Sequence, residues 1–145
     1  VLKTSKGIII MMQARTKWNQ NFQSTVDNGR NHSVVIDLPK EKGGEDTGAS
    51  ALELALMGFS GCVGTIFAMV AQKMRLNFEA LQVNMTGEQK DGAKTFSDVE
   101  FTVEIKTTES EEKIQKCLEM TMDSCPVGVL FRQAGVNISH TLKML

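Results

Sequence analysis

From residue 12 the chain alternates. Met12, Ala14, Thr16 and Trp18 stand apart from Gln13, Arg15 and Lys17, a period of two that predicts a strand. Asp27-Asn28-Gly29 is a turn signal, after which Val34, Ile36 and Leu38 resume the alternation. Residues 39–49 are polar and glycine-rich and predict a loop. Ser50-Ala51-Leu52-Glu53 fits the capping box S-x-x-E, so a helix is expected from residue 51 to about residue 75. Leu81, Val83 and Met85 then alternate with polar residues, as do Val99, Phe101, Val103 and Ile105, and Asp91-Gly92 between them predicts a hairpin turn. Ser110-Glu111-Glu112 opens a second helix with Ile114, Cys117, Leu118, Thr121 and Met122 as its apolar stripe. Cys125-Pro126 interrupts that stripe and starts a short helix reaching Gln133, with Gly135 as its stop. A last strand is expected over 136–142, with Val136, Ile138, His140 and Leu142 on one face.

Strands grouped ahead of helices favour an α+β class over alternating βαβ units. Neither an internal repeat nor a linker divides the chain, so residues 1–145 read as one domain. Residues 1–11 are either an additional amino-terminal strand or an extension outside that domain.

Residues 54–71 carry no charge and are 18 long, the lower limit for a membrane span. Gly58, Gly61 and Gly64 interrupt the run, Ser60 and Thr65 dilute it, and its surroundings alternate as a soluble sheet does. The expected reading is a buried core helix with no membrane insertion. The apolar run 8–12 is too short for a signal segment. A formal net charge of −1 removes the driving force for a phosphate backbone, so no nucleic-acid partner is expected.

Three cysteines, an odd count in a chain of this size, suit a reducing compartment and a cytoplasmic location. Cys117 lies on a helix stripe and reads as a small core hydrophobe. Cys62, in Gly58-Phe59-Ser60-Gly61-Cys62-Val63-Gly64, is open to two readings: one more small residue in a tight helix–helix contact, or a thiol that a substrate can approach. Cys125, at a helix cap ahead of Pro126, is where free N–H groups and the helix dipole favour a thiolate. With no CxxC pair, and with His32 and His140 remote from every cysteine, no zinc site is expected. His140 reads as a core histidine. No phosphate-binding loop or serine-nucleophile motif is present.

Leu52-Glu53-Leu54-x-Leu56-Met57-x-x-x-Gly61-Cys62 resembles the helix carrying the first cysteine of the OsmC/Ohr family of peroxide-resistance proteins. Ser124-Cys125-Pro126-Val127 resembles its second-cysteine motif. Gly29-Arg30-x-His32-Ser33-Val34-Val35-x-Asp37, followed by Gly43-Gly44, is similar to its amino-terminal sheet and loop. The resemblance covers residues 12–144 and is nearest the less-characterised OsmC-like branch. It implies an OsmC-like fold, antiparallel sheets packed around a long buried central helix, in an intertwined homodimer whose sites lie at the subunit interface.

It also implies roles. Cys62 would attack the O–O bond, Cys125 would resolve the sulfenic acid as a disulfide, Arg30 would be the site arginine and Glu53 its carboxylate partner. No bound cofactor or metal is implied; an external dithiol, lipoyl-type for instance, would restore the thiols. The implied activity is reduction of organic hydroperoxides, and of hydrogen peroxide in addition, in oxidative stress defence. Phe59 and Met57 beside the site would favour organic substrates. The alternative is a non-catalytic stress protein that senses redox state or binds an acyl or other small ligand. Two residue-level readings compete with the carry-over. Glu53 is also the capping-box acid, and Arg30 in a turn is also a solvated charge. Nine positions separate Glu53 from Cys62, which places them on opposite faces of a straight helix at about 100° per residue. A shared site therefore predicts a break at Gly58 or Gly61.

Overall fold

A computed structural model describes residues 2–4 and 7–145. The chain divides into two compact units, residues 1–54 and 55–145.

In the first unit, β1 (Leu2–Thr4) and β2 (Gly7–Ile9) form an antiparallel pair. Of the expected amino-terminal extension, Val1, Ser5 and Lys6 lie outside the described residues. A three-stranded antiparallel sheet follows, β3 (Arg15–Gln20), β4 (Gln23–Asp27) and β5 (Ser33–Ile36), in chain order. The expected strand over 12–18 begins later, at Arg15, and β4 was not anticipated. A tight turn with Asn21 at φ 44° joins β3 to β4. The Asp27-Asn28-Gly29 turn joins β4 to β5, and Asp27 Oδ1 accepts from the Gly29 amide at 2.7 Å.

The expected loop 39–49 contains one 3-10 turn, Lys40–Lys42, and is organised around Asp37, which is 2% exposed. Its carboxylate accepts from the amides of Leu38, Glu45 and Thr47 and from Thr47 Oγ1, at 2.8 to 3.2 Å. The Thr47 hydroxyl, ahead of the amides and against burial, holds the Asp37 pKa below the ordinary carboxylate value. Gly44 is required there, because a Cβ would collide with the Leu38 carbonyl.

The long helix α1 (Ala51–Met74) starts as the capping box predicts: Glu53 Oε2 accepts from the Ser50 amide at 2.7 Å, and Ser50 Oγ from the Glu53 amide at 3.3 Å. It is unbroken through Gly58 and Gly61, so the break expected there does not occur. α1 is long and apolar enough to cross a membrane by length and composition. It contributes Phe59, Val63, Phe67, Val70 and Ala71 to the core of the second unit. Those positions follow a helical period and define one face. Met57, Gly61, Thr65, Ala68 and Met69 are exposed, so burial within this chain is one-sided.

That face packs in the second unit with the sheet of β6 (Ala80–Glu88), β7 (Asp98–Lys106) and β8 (Asn137–Met144). Inward residues match across the strands, Met85 with Phe101 and His140, Val83 with Val103 and Leu142. β6 and β7 are antiparallel, as the hairpin predicts. β7 and β8 are parallel, which corrects the expectation of wholly antiparallel sheets. The connection permits it: α2 (Glu111–Ser124) and α3 (Pro126–Gln133) intervene, and a helical crossover of this length can return the chain in the same direction. Ile114, Cys117, Leu118 and Met122 of α2 complete the core.

Candidate active site

The second unit brings Cys62 and Cys125 together from 63 residues apart in the chain, with their sulfurs 3.1 Å apart and both thiols free. Each arrives by a different route. Cys62 lies on α1 one position before the buried Val63 and is partly exposed. Cys125 ends α2 and caps α3. Its extended backbone (φ −73°, ψ 108°) turns the chain, Pro126 supplies the first helical position, and the Val129 amide donates to its carbonyl at 2.9 Å. Its Sγ takes the part of a capping side chain and accepts from the Gly128 amide at 3.4 Å.

The two sulfurs are not equivalent. Cys125 is wholly buried. Burial first, and then the hydrogen bond it donates to Cys62, push its pKa up to about 11, against the opposing pull of the Gly128 and Val127 amides. The thiolate expected at the α3 cap is therefore not favoured, since desolvation outweighs the helix end. Cys125 keeps its proton at neutral pH and directs it at Cys62.

Gly128, not anticipated in sequence, closes the far side. A Cβ there would lie 3.1 Å from the Phe59 ring and 3.5 Å from Cys125 Sγ. The only signal for it was a glycine three positions past a helix cap. Phe59 in turn packs on Phe131, centroids 4.9 Å apart, and edge-on to Phe101 at 6.1 Å. Arg132 of α3 donates to the Met122 carbonyl at 2.9 Å and ties α3 to the end of α2. Phe59 thus packs behind Gly128 in the same core as Cys125. Met57 instead lines a cavity of about 740 Å³ with Leu56, Ser60, Met85, Phe101 and His140, and neither sulfur is among its lining residues. His140 is half-buried and stacked on Phe101 at 5.3 Å, and burial lowers its pKa.

The other two candidates lie in the first unit. Glu53 spends its carboxylate on the capping box, and the Ser50 hydrogen bonds hold its pKa down. Arg30 is exposed in the β4–β5 turn, its amide donating to Asn28 Oδ1 at 2.9 Å. Among the described residues, no ion pair joins Arg30 to Glu53. Cys117 is core, as expected: wholly buried, its Sγ 3.8 Å from the Phe67 carbonyl and its pKa pushed up to about 11 by burial.

An α+β unit with a long central helix and a thiol pair held between that helix and a capped crossover helix defines a class of cysteine proteins. Residues 43–141 match the family described as OsmC-like protein, and the chain belongs to that family. Protein YhfA of Escherichia coli strain K12 is 23% identical over 138 residues, covering 92% of this chain and 98% of YhfA. The crystal structure of an OsmC-like protein from Mycoplasma pneumoniae superposes with a TM-score of 0.84 at 17% identity, over 95% of this chain and 99% of that one. An organic hydroperoxide resistance protein OsmC from Legionella pneumophila gives 0.71 at 13% identity, over 94% and 98%. At these identities the structures establish a shared fold, the OsmC-like fold that the cysteine motifs imply.

Proposed function

We propose that the protein is a cysteine-based peroxidase that reduces organic hydroperoxides, and hydrogen peroxide in addition, in oxidative stress defence. The observation that carries this reading is the reduced pair at 3.1 Å. Cys62 Sγ attacks the terminal peroxide oxygen, the O–O bond breaks, and the alcohol leaves with a proton. Cys125 Sγ then displaces hydroxide from the Cys62 sulfenic acid, water departs, and a disulfide remains. A second thiol at contact distance favours that closure over further oxidation. Phe59, buried behind Gly128, keeps the surroundings of the pair apolar, which supports a preference for organic substrates. Turnover needs an external dithiol, a lipoyl group being one such, and no bound cofactor. The odd cysteine count suits a reducing compartment, and we place the protein in the cytoplasm.

The working form we propose is a homodimer. On α1, Gly58, Gly61 and Gly64 have open space among the described residues where a Cβ would stand. In the first unit, Trp18 and Val34 share one sheet face and are 66% and 47% exposed. Apolar surfaces of this kind favour a second copy. Sedimentation velocity at micromolar concentration should give about 32 kDa, twice the 16.0 kDa chain; a 16.0 kDa species throughout overturns the dimer.

One observation favours a second reading, a redox sensor without turnover. Glu53, the carboxylate that would organise an arginine, is already held by Ser50. Cumene hydroperoxide consumption with a dithiol reductant separates the two. Many equivalents per chain support the peroxidase, and one equivalent supports the sensor. Equal consumption by wild type, Cys62→Ser and Cys125→Ser overturns both.

A further inference from the structure

We propose that an external dithiol opens the Cys62–Cys125 disulfide at Cys62 alone, with Cys125 as the leaving sulfur. This inference rests on the redox couple proposed above and adds the direction of its reduction. Thiolate attack on a disulfide is in line with the S–S bond, so the target sulfur must be open on the side away from its partner, and access decides between two sulfurs. Cys62 is partly exposed and Cys125 is 0% exposed. Cys125 has no open side: it is wholly buried in the core that holds Phe59, with the Gly128 amide of the first turn of α3 at 3.4 Å from the sulfur.

In the proposed step, one thiolate of the dithiol bonds to Cys62 Sγ as the S–S bond breaks. The electron pair moves to Cys125 Sγ, where the Gly128 N–H already points, and Cys125 takes up a proton. The second thiol of the reductant, deprotonated, then attacks the sulfur of its own mixed disulfide. Cys62 is released, and the reductant leaves as a cyclic disulfide. Two electrons and two protons pass from the dithiol to the two cysteines. Burial, which raises the Cys125 pKa, makes it the slower leaving group, so access and not acidity sets the direction; once it is protonated it recaptures Cys62 slowly, which leaves the mixed disulfide open to that second thiol.

The test begins from disulfide formed in the purified protein by two routes, diamide and cumene hydroperoxide. Each sample meets reduced glutathione briefly, is quenched in acid, is alkylated in denaturant with N-ethylmaleimide, and is mapped by mass spectrometry. Glutathione on Cys62 with maleimide on Cys125 is expected in at least about tenfold excess over the reverse pattern. Equal amounts, or an excess on Cys125, overturn the proposal. Single-cysteine variants guard against migration of the adduct. Glutathione disulfide should modify Cys62 in Cys125→Ser at least about tenfold faster than Cys125 in Cys62→Ser, and comparable rates overturn the proposal. A disulfide formed by diamide but not by hydroperoxide overturns the peroxidase reading, while the direction of opening is still decided on the diamide sample. A disulfide formed by neither oxidant overturns both.

Discussion

Cys117 lies in the middle of α2 and Cys125 at its carboxyl end, both wholly buried, both with thiols that burial pushes up to about 11. By exposure and acidity they are the same residue. Their neighbours differ. Cys117 faces the carbonyl of Phe67 at 3.8 Å, a weak acceptor in an apolar core. Cys125 faces another sulfur at 3.1 Å and a backbone amide at 3.4 Å, at the start of a new helix. Burial therefore does not separate these two cysteines. Position relative to a second, partly exposed thiol does.

The comparison breaks most sharply at the level of turnover. Cys62→Ser and Cys125→Ser should each bring peroxide turnover with a dithiol to background, with Cys125→Ser still consuming about two equivalents as Cys62 climbs through the sulfenic to the sulfinic acid. Cys117→Ala should keep turnover within about twofold of wild type. Loss of turnover in Cys117→Ala alone would overturn the distinction. Oxidation offers the next largest effect. A disulfide closing the 63-residue separation constrains the unfolded chain and should stabilise the fold by about 4 kcal/mol, read as a higher urea midpoint that dithiothreitol reverses. Cys117→Ala should leave that increment unchanged.

Gly128→Ala tests the packing behind Cys125. Its added Cβ must displace the Phe59 ring, at a cost of about 1 to 3 kcal/mol, with slower closure of the disulfide in stopped-flow oxidation. Unaltered stability and closure would show that the glycine is not needed there. The smallest effect concerns alkaline pH. Cys117 has a folded pKa of about 11 against 9.0 as its ordinary value, so the folded state holds the proton that the unfolded state releases. Its stabilisation is complete below about pH 9 and is lost as pH rises toward 11. Urea denaturation at pH 8 and pH 10.5 should show a smaller alkaline loss in Cys117→Ala than in wild type, and an identical loss would remove Cys117 from that dependence.

Sequence carried the elements whose chemistry is local. Ser50 with Glu53, Cys125 ahead of Pro126, and the Val99 to Ile105 alternation each depend on residues within a few positions, and each was found where expected. β4 was missed because Gln23, Ser24 and Thr25 show no apolar alternation, and all five of its residues are half-buried. The parallel pairing of β8 was missed because a crossover through two helices permits either direction, and only packing decides. The uniform apolarity of α1 showed that it must be covered, but not that this chain covers one face only. For the site, two cysteine motifs in order marked the pair, while the buried proton on Cys125 and the Gly128 contact depend on α3 folding against Phe59. Glu53 illustrates the opposite limit: a motif with two readings, of which the capping box is the one its hydrogen bonds display.

The parallel return of β8 has a consequence for how the molecule comes into being. Cys125 rides on the crossover that connects β7 to β8, so it reaches Cys62 when that crossover docks, a step dominated by contacts distant along the chain and slow to form. A nascent or half-folded chain carries three scattered thiols and no redox couple. The proposed couple is thus assembled when that crossover docks, and the appearance of the disulfide under mild oxidant would time that docking.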